Sequence, residues 1–112
     1  MNRMKPNIKT SSAKVGPEAA LKAIGHPLRR EILGWLKDPR RNFPEQILSH
    51  DLGVCAGQIG LRAGLSQSTV SVHLALLQKA GLVTSQKVGQ WSFFRRDEAA
   101  IRAFLKSLKA EL

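Results

Sequence analysis

A mainly α-helical fold of about five helices with one small β-hairpin is what this 112-residue sequence predicts, on three observations. Apolar residues recur at helical spacing through most of the chain, and glycines stand where several of the runs stop. After Gly81 the period shortens from about 3.6 towards 2, and it lengthens again after Asp97. Between Asp51 and Asp97 there is no acidic residue, so Arg62, Lys79, Lys87, Arg95 and Arg96 fall in a stretch that holds nothing to neutralise them.

Composition sets the outer limits. A chain of this length builds one domain with a modest core. Eighteen Lys and Arg against eight Asp and Glu give a net charge of +10, far beyond the needs of solubility, and such a charge favours polyanions. No apolar run approaches the roughly 18 residues of a spanning helix, which argues against a membrane partner. The N-terminus lacks the apolar centre of a signal peptide, so a cytoplasmic location is expected. The single cysteine, Cys55, cannot form an internal disulfide and rules out Cys–Cys metal spacings.

The elements follow in order. Residues 1–16 carry Arg3, Lys5, Lys9 and Lys14 without an acid and read as a disordered basic arm, either simply solvated or touching phosphate. The domain is expected over residues 17–112. Its first helix opens at Pro17-Glu18, where proline loses no useful N–H and the carboxylate complements the helix dipole. Ala20, Leu21 and Ile24 form its stripe, and Gly25 stops it. Pro27 opens a second helix with Leu28, Ile32, Trp35 and Leu36 at helical spacing, and Asp38-Pro39 ends it. His26, beside Pro27, reads as a turn residue. From Arg40 to Gly53 the pattern is poor, and Phe43-Pro44 and Ile47-Leu48 suggest an ordered loop with a short extended piece.

A third helix is expected from about Cys55 to Ala63. Four glycines between Gly53 and Gly64 weaken it, and close packing against a neighbour would explain them. Ser66 is a good N-cap for a fourth helix that runs to about Lys79 and stops at Gly81. Joined through Gly64-Leu65-Ser66, the pair has helix-turn-helix spacing. Residues 82–88 and 90–95 then alternate as two strands about Gly89. Trp91, Phe93 and Phe94 are expected in the core rather than as base-stacking platforms, with Trp91 and Phe93 on one face. Asp97 caps the last helix, whose stripe is Ile101, Phe104, Leu105, Leu108 and Leu112. Helices, helix-turn-helix, hairpin and helix, in that order, describe a winged helix-turn-helix with the hairpin as wing.

The fourth helix carries the functional signal. At about 100° per residue, Val70, Leu74 and Leu77 share the side that anchors it, and Gln67, Ser68, Ser71, Val72 and Ala75 share the opposite one. A generic solvent face carries Glu and Lys, which are good helix formers; serine is not. Small neutral hydrogen-bonding side chains in a positive field suit entry into a DNA major groove. Gln67 suits an adenine edge, Ser68 and Ser71 suit bases or phosphates, and Val72 suits a thymine methyl. Thr69 and His73, on the flanks, suit phosphate or packing. Lys79, Lys87 and Arg95 suit the DNA backbone, the last two from the wing.

With these segments in view the chain resembles the ArsR/SmtB family of bacterial winged-helix repressors. The likeness rests on residues 21–33 (LKAIGHPLRREIL), 64–74 (GLSQSTVSVHL), Lys79-Ala80-Gly81-Leu82-Val83 and residues 90–95 (QWSFFR), and spans roughly Pro17 to Leu108. It implies a homodimer joined through the first and last helices, with Leu21, Ile24, Ile101, Phe104, Leu105 and Leu108 at the interface. It also implies an inverted-repeat site in double-stranded promoter DNA, read by two recognition helices about one turn apart. Members repress until a metal or another inducer weakens DNA binding. The metal-sensing pattern is broken here: Gly53-Val54-Cys55 supplies one thiolate where a Cys-x-Cys pair is usual, and Ala99 and Ala110 stand where histidines would. Since a tetrahedral site needs about four ligands, no metal site is expected. Cys55 remains, either a small buried hydrophobe or a redox-sensing thiol activated by a helix N-terminus. A pairing of His50 with Cys55 has little support from their spacing.

Enzyme chemistry finds no footing, with no paired carboxylates in a common element, no phosphate loop and no Ser–His–acid arrangement. The sequence calls for no cofactor and does not identify an inducer. It reads as a sequence-specific DNA-binding transcriptional regulator, a homodimeric repressor. The competing reading is a winged-helix module for non-specific nucleic-acid or protein binding, which would lack a large affinity gap between one site and random duplex.

Overall fold

Residues 16–112 are described by the computed structural model; the basic arm expected over residues 1–16 lies outside them except for Gly16, the first residue of α1 (Gly16–Ile24). α2 (Pro27–Trp35) begins with proline at its first position and His26 as N-cap, the ring Nδ1 accepting from the Leu28 N–H at 3.1 Å. His26 is thus the turn residue the sequence suggested. Asp38-Pro39 ends α2 as expected, and it also starts something new. The Asp38 carboxylate accepts from Arg41 N–H and Pro39 takes the first position of a one-turn helix, α3 (Pro39–Asn42). The same dipeptide is stop and start.

The loop that follows is ordered by one buried polar side chain. The Gln46 amide donates to the Leu48 and Gly53 carbonyls at 3.1 and 3.0 Å and accepts from Cys55 N–H at 2.8 Å. With three partners, its burial carries no unmet polar group. A single tight helical turn, His50–Leu52, leads into β1 (Val54–Cys55), then α4 (Ala56–Ala63), α5 (Gln67–Lys79), β2 (Val83–Val88), β3 (Trp91–Arg96) and α6 (Glu98–Glu111). The described residues therefore hold six helices rather than about five, and the hairpin gains a third strand. The sheet order is β1-β3-β2, all antiparallel, with Val54 opposite Phe94 and Cys55 opposite Phe93.

That third strand explains a departure from simple alternation. β3 is central, so Phe93 and Phe94 are both buried, on successive positions. Trp91 was expected in the core beside Phe93, but it is 48% exposed. It pairs with Val88 at the tip of the wing, beyond the reach of the two-residue β1.

Ile32, Val54, Ile59, Val70, Leu74, Leu77, Leu82, Val83 and Phe93 are the largest fully buried side chains, and each contributes about 1.5–3 kcal/mol by leaving water. They come from α2, β1, α4, α5 and the base of the wing, so the helix-turn-helix is bolted to both the opening helices and the sheet. The four glycines divide by cause. Gly60 leaves room for the Gln67 side-chain amide, which a Cβ would strike. Gly53 lies against the Phe94 carbonyl, where a Cβ would come to 2.7 Å. Gly64 has open space but φ of +71°, the left-handed turn that closes α4 and sends the chain into α5. Nothing in the structure requires glycine at position 57.

Candidate nucleic-acid interface

α5 is fixed before it is functional. The Ser66 hydroxyl accepts from Thr69 N–H at 3.3 Å, donates to the Thr69 hydroxyl at 3.0 Å and lies 3.2 Å from the Ser68 hydroxyl. Val70, Leu74 and Leu77 sit on the buried side at 0–1% exposure. Gln67, Ser68, Ser71, Val72 and Ala75 are all exposed, Val72 at 59% despite being apolar. Gln67 is folded back over Gly60, its amide 3.5 Å from the Ala56 carbonyl. A contact at that limit is weak, so the side chain is released at little cost.

The flanking residues have more definite partners. His73 faces α2: its Nδ1 is 3.1 Å from an Arg29 Nη, and its ring meets His26 edge-on with centroids 4.7 Å apart. A guanidinium only donates, so His73 Nδ1 accepts and the proton rides on Nε2. Burial first, then His26 and Arg29, push the His73 pKa below its ordinary value. Arg29 also donates to the Ala23 and Lys22 carbonyls, tying the end of α1 to the recognition helix. Sequence reasoning missed this junction; the only hint was the His26-Pro27 pair ahead of an arginine.

The basic residues of the acid-free stretch prove unequal. Arg96 was expected to stand unneutralised, but it is bound to the Glu98 carboxylate at 2.8 Å and donates to the Leu33 carbonyl, because its strand ends where α6 begins. The same guanidinium holds the Glu98 carboxyl below its usual range. Arg62 stacks 5.0 Å over the Trp35 ring and donates to the Asn42 carbonyl. Arg95 reaches the Asp51 carbonyl at 3.2 Å, and Gln86 reaches the Leu52 carbonyl at 3.0 Å, so the wing is strapped to the turn below it. Lys79 and Lys87 are exposed and have no ion pair among the described residues.

Of the residues expected at a dimer interface, Leu21, Ile24, Ile101 and Leu108 are partly buried and Leu105 is 54% exposed. Phe104 differs: it is 8% exposed within the single chain and belongs to its core. Cys55 is the half-buried N-cap residue of α4 and makes no side-chain capping bond. His50 turns away to the Phe43 carbonyl, to which its Nε2–H donates at 2.7 Å. Among the described residues no three His, Cys, Asp or Glu side chains group as metal ligands, and no helix is long and apolar enough to cross a membrane.

A capped helix with a small, acid-free outer face, set beside a β-hairpin, defines a winged helix-turn-helix DNA-binding protein. Comparison with known proteins narrows the class. Residues 53–85 match the model of the bacterial regulatory protein, arsR family. An uncharacterised HTH-type transcriptional regulator of Bacillus subtilis, YbzH, is 38% identical over 98 residues, covering 86% of this chain and 98% of the relative. The transcriptional activator HlyU of Vibrio cholerae is 33% identical over 88 residues, 79% of this chain and 69% of that protein. Its solved structure superposes with a TM-score of 0.59 at 30% identity, over 90% of this chain and 94% of that one. A winged helix-turn-helix DNA-binding domain from Mycobacterium bovis, described as homodimeric, shares the fold at 20% identity with a TM-score of 0.61, over 95% of this chain and 88% of that one. The chain belongs to the ArsR family of transcriptional regulators; it is a DNA-binding regulator and not an enzyme.

Proposed function

We propose that the protein is a homodimeric, sequence-specific repressor that binds an inverted repeat in promoter DNA. The observation that carries this reading is the exposed, uncharged outer face of α5 on a helix whose other side is fully buried. Gln67, Ser68, Ser71 and Val72 read base edges, while Thr69, His73, Lys79, Lys87 and Arg95 hold the backbone. Arg95 exchanges the Asp51 carbonyl for a phosphate, a stronger charge-assisted acceptor. His73 reaches phosphate through its Nε2–H, leaving Nδ1 on Arg29.

Dimerisation through α1 and α6 is supported by the apolar stripe left on the single chain, Leu105 above all, beside the half-buried Leu21, Ile24, Ile101 and Leu108. A two-fold axis then sets two α5 helices about one DNA turn apart. Metal control at the usual family positions is no part of this reading, because Cys55 is a single thiolate and Ala99 and Ala110 offer no ligand. Selection of bound fragments from random duplex tests the whole. An inverted repeat bound at least about a thousandfold more tightly than random duplex is expected, protecting two half-sites and silencing a reporter downstream. Salt-sensitive binding without sequence preference would overturn the base-reading roles.

A further inference from the structure

We propose that the groove between α1 and the C-terminal half of α5 is a binding site for a small organic carboxylate with an apolar body, and that its occupation weakens DNA binding. The second half of this rests on the DNA-binding reading above; the first does not.

The groove, open to solvent along one side, has a volume of about 630 Å³, within the roughly 300–1,000 Å³ of small-molecule sites. Its floor is methyl-rich: Ala19 and Ala23 from α1, Leu76 from α5 and Ala80 just beyond it. Leu76 is 42% exposed, an apolar side chain of α5 that lines this groove one turn beyond Val72. Around the floor stand Lys22, Arg29 and Lys79 against the single acid Glu18. None of those three cations is in an ion pair among the described residues. Arg29 is also held in place, since its bonds to the Ala23 and Lys22 carbonyls and to His73 fix the guanidinium at the rim.

An apolar floor under an unpaired, partly preorganised cationic rim selects an amphipathic anion. Inorganic phosphate would satisfy the rim and leave the methyl groups wet; a neutral hydrocarbon would do the reverse. The groove also stays accessible in the proposed dimer. Ala19, Lys22 and Ala23 are spaced i, i+3 and i+4 on one face of α1, whereas Leu21 and Ile24 lie on the other.

The coupling follows from shared residues. Lys79 belongs both to the rim and to the proposed backbone contacts, and Arg29 belongs to the rim and to His73 on α5. A bound carboxylate draws Lys79 from the DNA phosphate, and by linkage DNA draws it from the carboxylate in equal measure.

The site is tested first without DNA, by following backbone amides in NMR while the full chain is titrated with decanoate or 1-naphthoate. Saturable shifts at Ala19, Ala23, Leu76 and Ala80 are expected, with affinity falling about tenfold in Lys22→Glu, which removes one charged partner. Ala19→Leu, which fills the floor and keeps every charge, should weaken decanoate similarly. Decanol and inorganic phosphate should leave these amides unmoved. No shifts with either carboxylate, or equal shifts with decanol, would overturn the site. Equal shifts with phosphate would make it a DNA-backbone contact, and shifts that track protein concentration alone would assign it to a second copy of the chain. DNA affinity is then measured with and without decanoate. If the carboxylate binds and operator affinity holds, the coupling falls and the site stands; if no operator exists, only the proposed function falls.

Discussion

The recognition helix and the wing share an acid-free surface, yet they are built on opposite terms. α5 buries Val70, Leu74 and Leu77 and presents uncharged side chains outwards. β2 buries only Val83, at its base, and everything from Thr84 to Gln90 is exposed. β3 packs Phe93 and Phe94 into the core, whereas the outer strand is held by side-chain bonds from Gln86 and, on the strand beside it, Arg95 to the carbonyls of the turn beneath. Reading base edges needs donors and acceptors held to a fraction of an ångström, which a packed helix supplies. Neutralising phosphate needs only charge within reach, and the exposed Lys87 near the hairpin tip suits that. On the proposed reading, the packed helix reads sequence and the exposed end of the wing holds the backbone.

The strongest way to break this contrast is to truncate one apolar residue in each region. Leu74→Ala should cost about 2–5 kcal/mol, because it empties a fully buried site. Val88→Ala, 42% exposed near the wing tip, should stay within about 0.5 kcal/mol. Urea unfolding of both variants compares them directly, and similar losses would mean that the wing is packed as firmly as the helix. The next effect is on specificity. Gln67→Ala should relax discrimination at one base pair in each half-site by about 1–3 kcal/mol while leaving the fold intact, since among the described residues its side chain makes only the long bond to Ala56. Binding to a panel of single-substitution operators checks this, and an equal loss on every sequence would remove Gln67 from base reading. Lys87→Ala should do what Gln67→Ala does not. It should weaken operator and random duplex alike, with the slope of log affinity against log salt falling by about 0.9 for each phosphate no longer neutralised. An unchanged slope would take the wing off the backbone.

How much of this was legible in advance follows the range of the interactions involved. Caps and periods are local, so Ser66, the buried side of α5, the hairpin turn and Asp97 could all be read from neighbouring residues. What escaped depends on partners far along the chain. β1 is two residues long and exists because Phe93 and Phe94 come to lie opposite it. Trp91 was misplaced for the same reason, since alternation does not tell where a neighbouring strand stops. Arg96 read as a free cation because Leu33, whose carbonyl it caps, lies 63 residues away, although Glu98 is only two residues on. Asp38-Pro39 is the exception among the misses: the signal for a new helical turn is local and complete, yet it reads equally well as a stop. On α5 the buried and exposed faces were legible, while the fold-back of Gln67 and the His26–Arg29–His73 junction were not.

The smallest expected effect separates the two regions by pH. The wing, from Val83 to Arg96, contains Lys and Arg but no histidine or acid. α5 carries His73, whose pKa in the folded chain lies below 6.5 through burial and the nearby His26 and Arg29. Below pH 6.5 the unfolded chain therefore binds a proton at this position more readily than the folded one. Stability must fall as the pH drops from there towards the lowered folded value, and the loss levels off beneath it. Protonation also removes the Nδ1 lone pair that accepts from Arg29, so the acid form loses a bond as well as gaining a like charge. Replacing His73→Gln keeps an acceptor for Arg29 without a titrating group. Thermal unfolding followed from about pH 8 to about pH 5 should show the wild type losing stability faster than His73→Gln, with the gap opening as the pH falls through 6.5. His50 is common to both proteins, and since His26 packs against His73 the difference reports the His26–His73 contact as a unit. Parallel pH profiles would show that the recognition helix is as indifferent to acid as the wing.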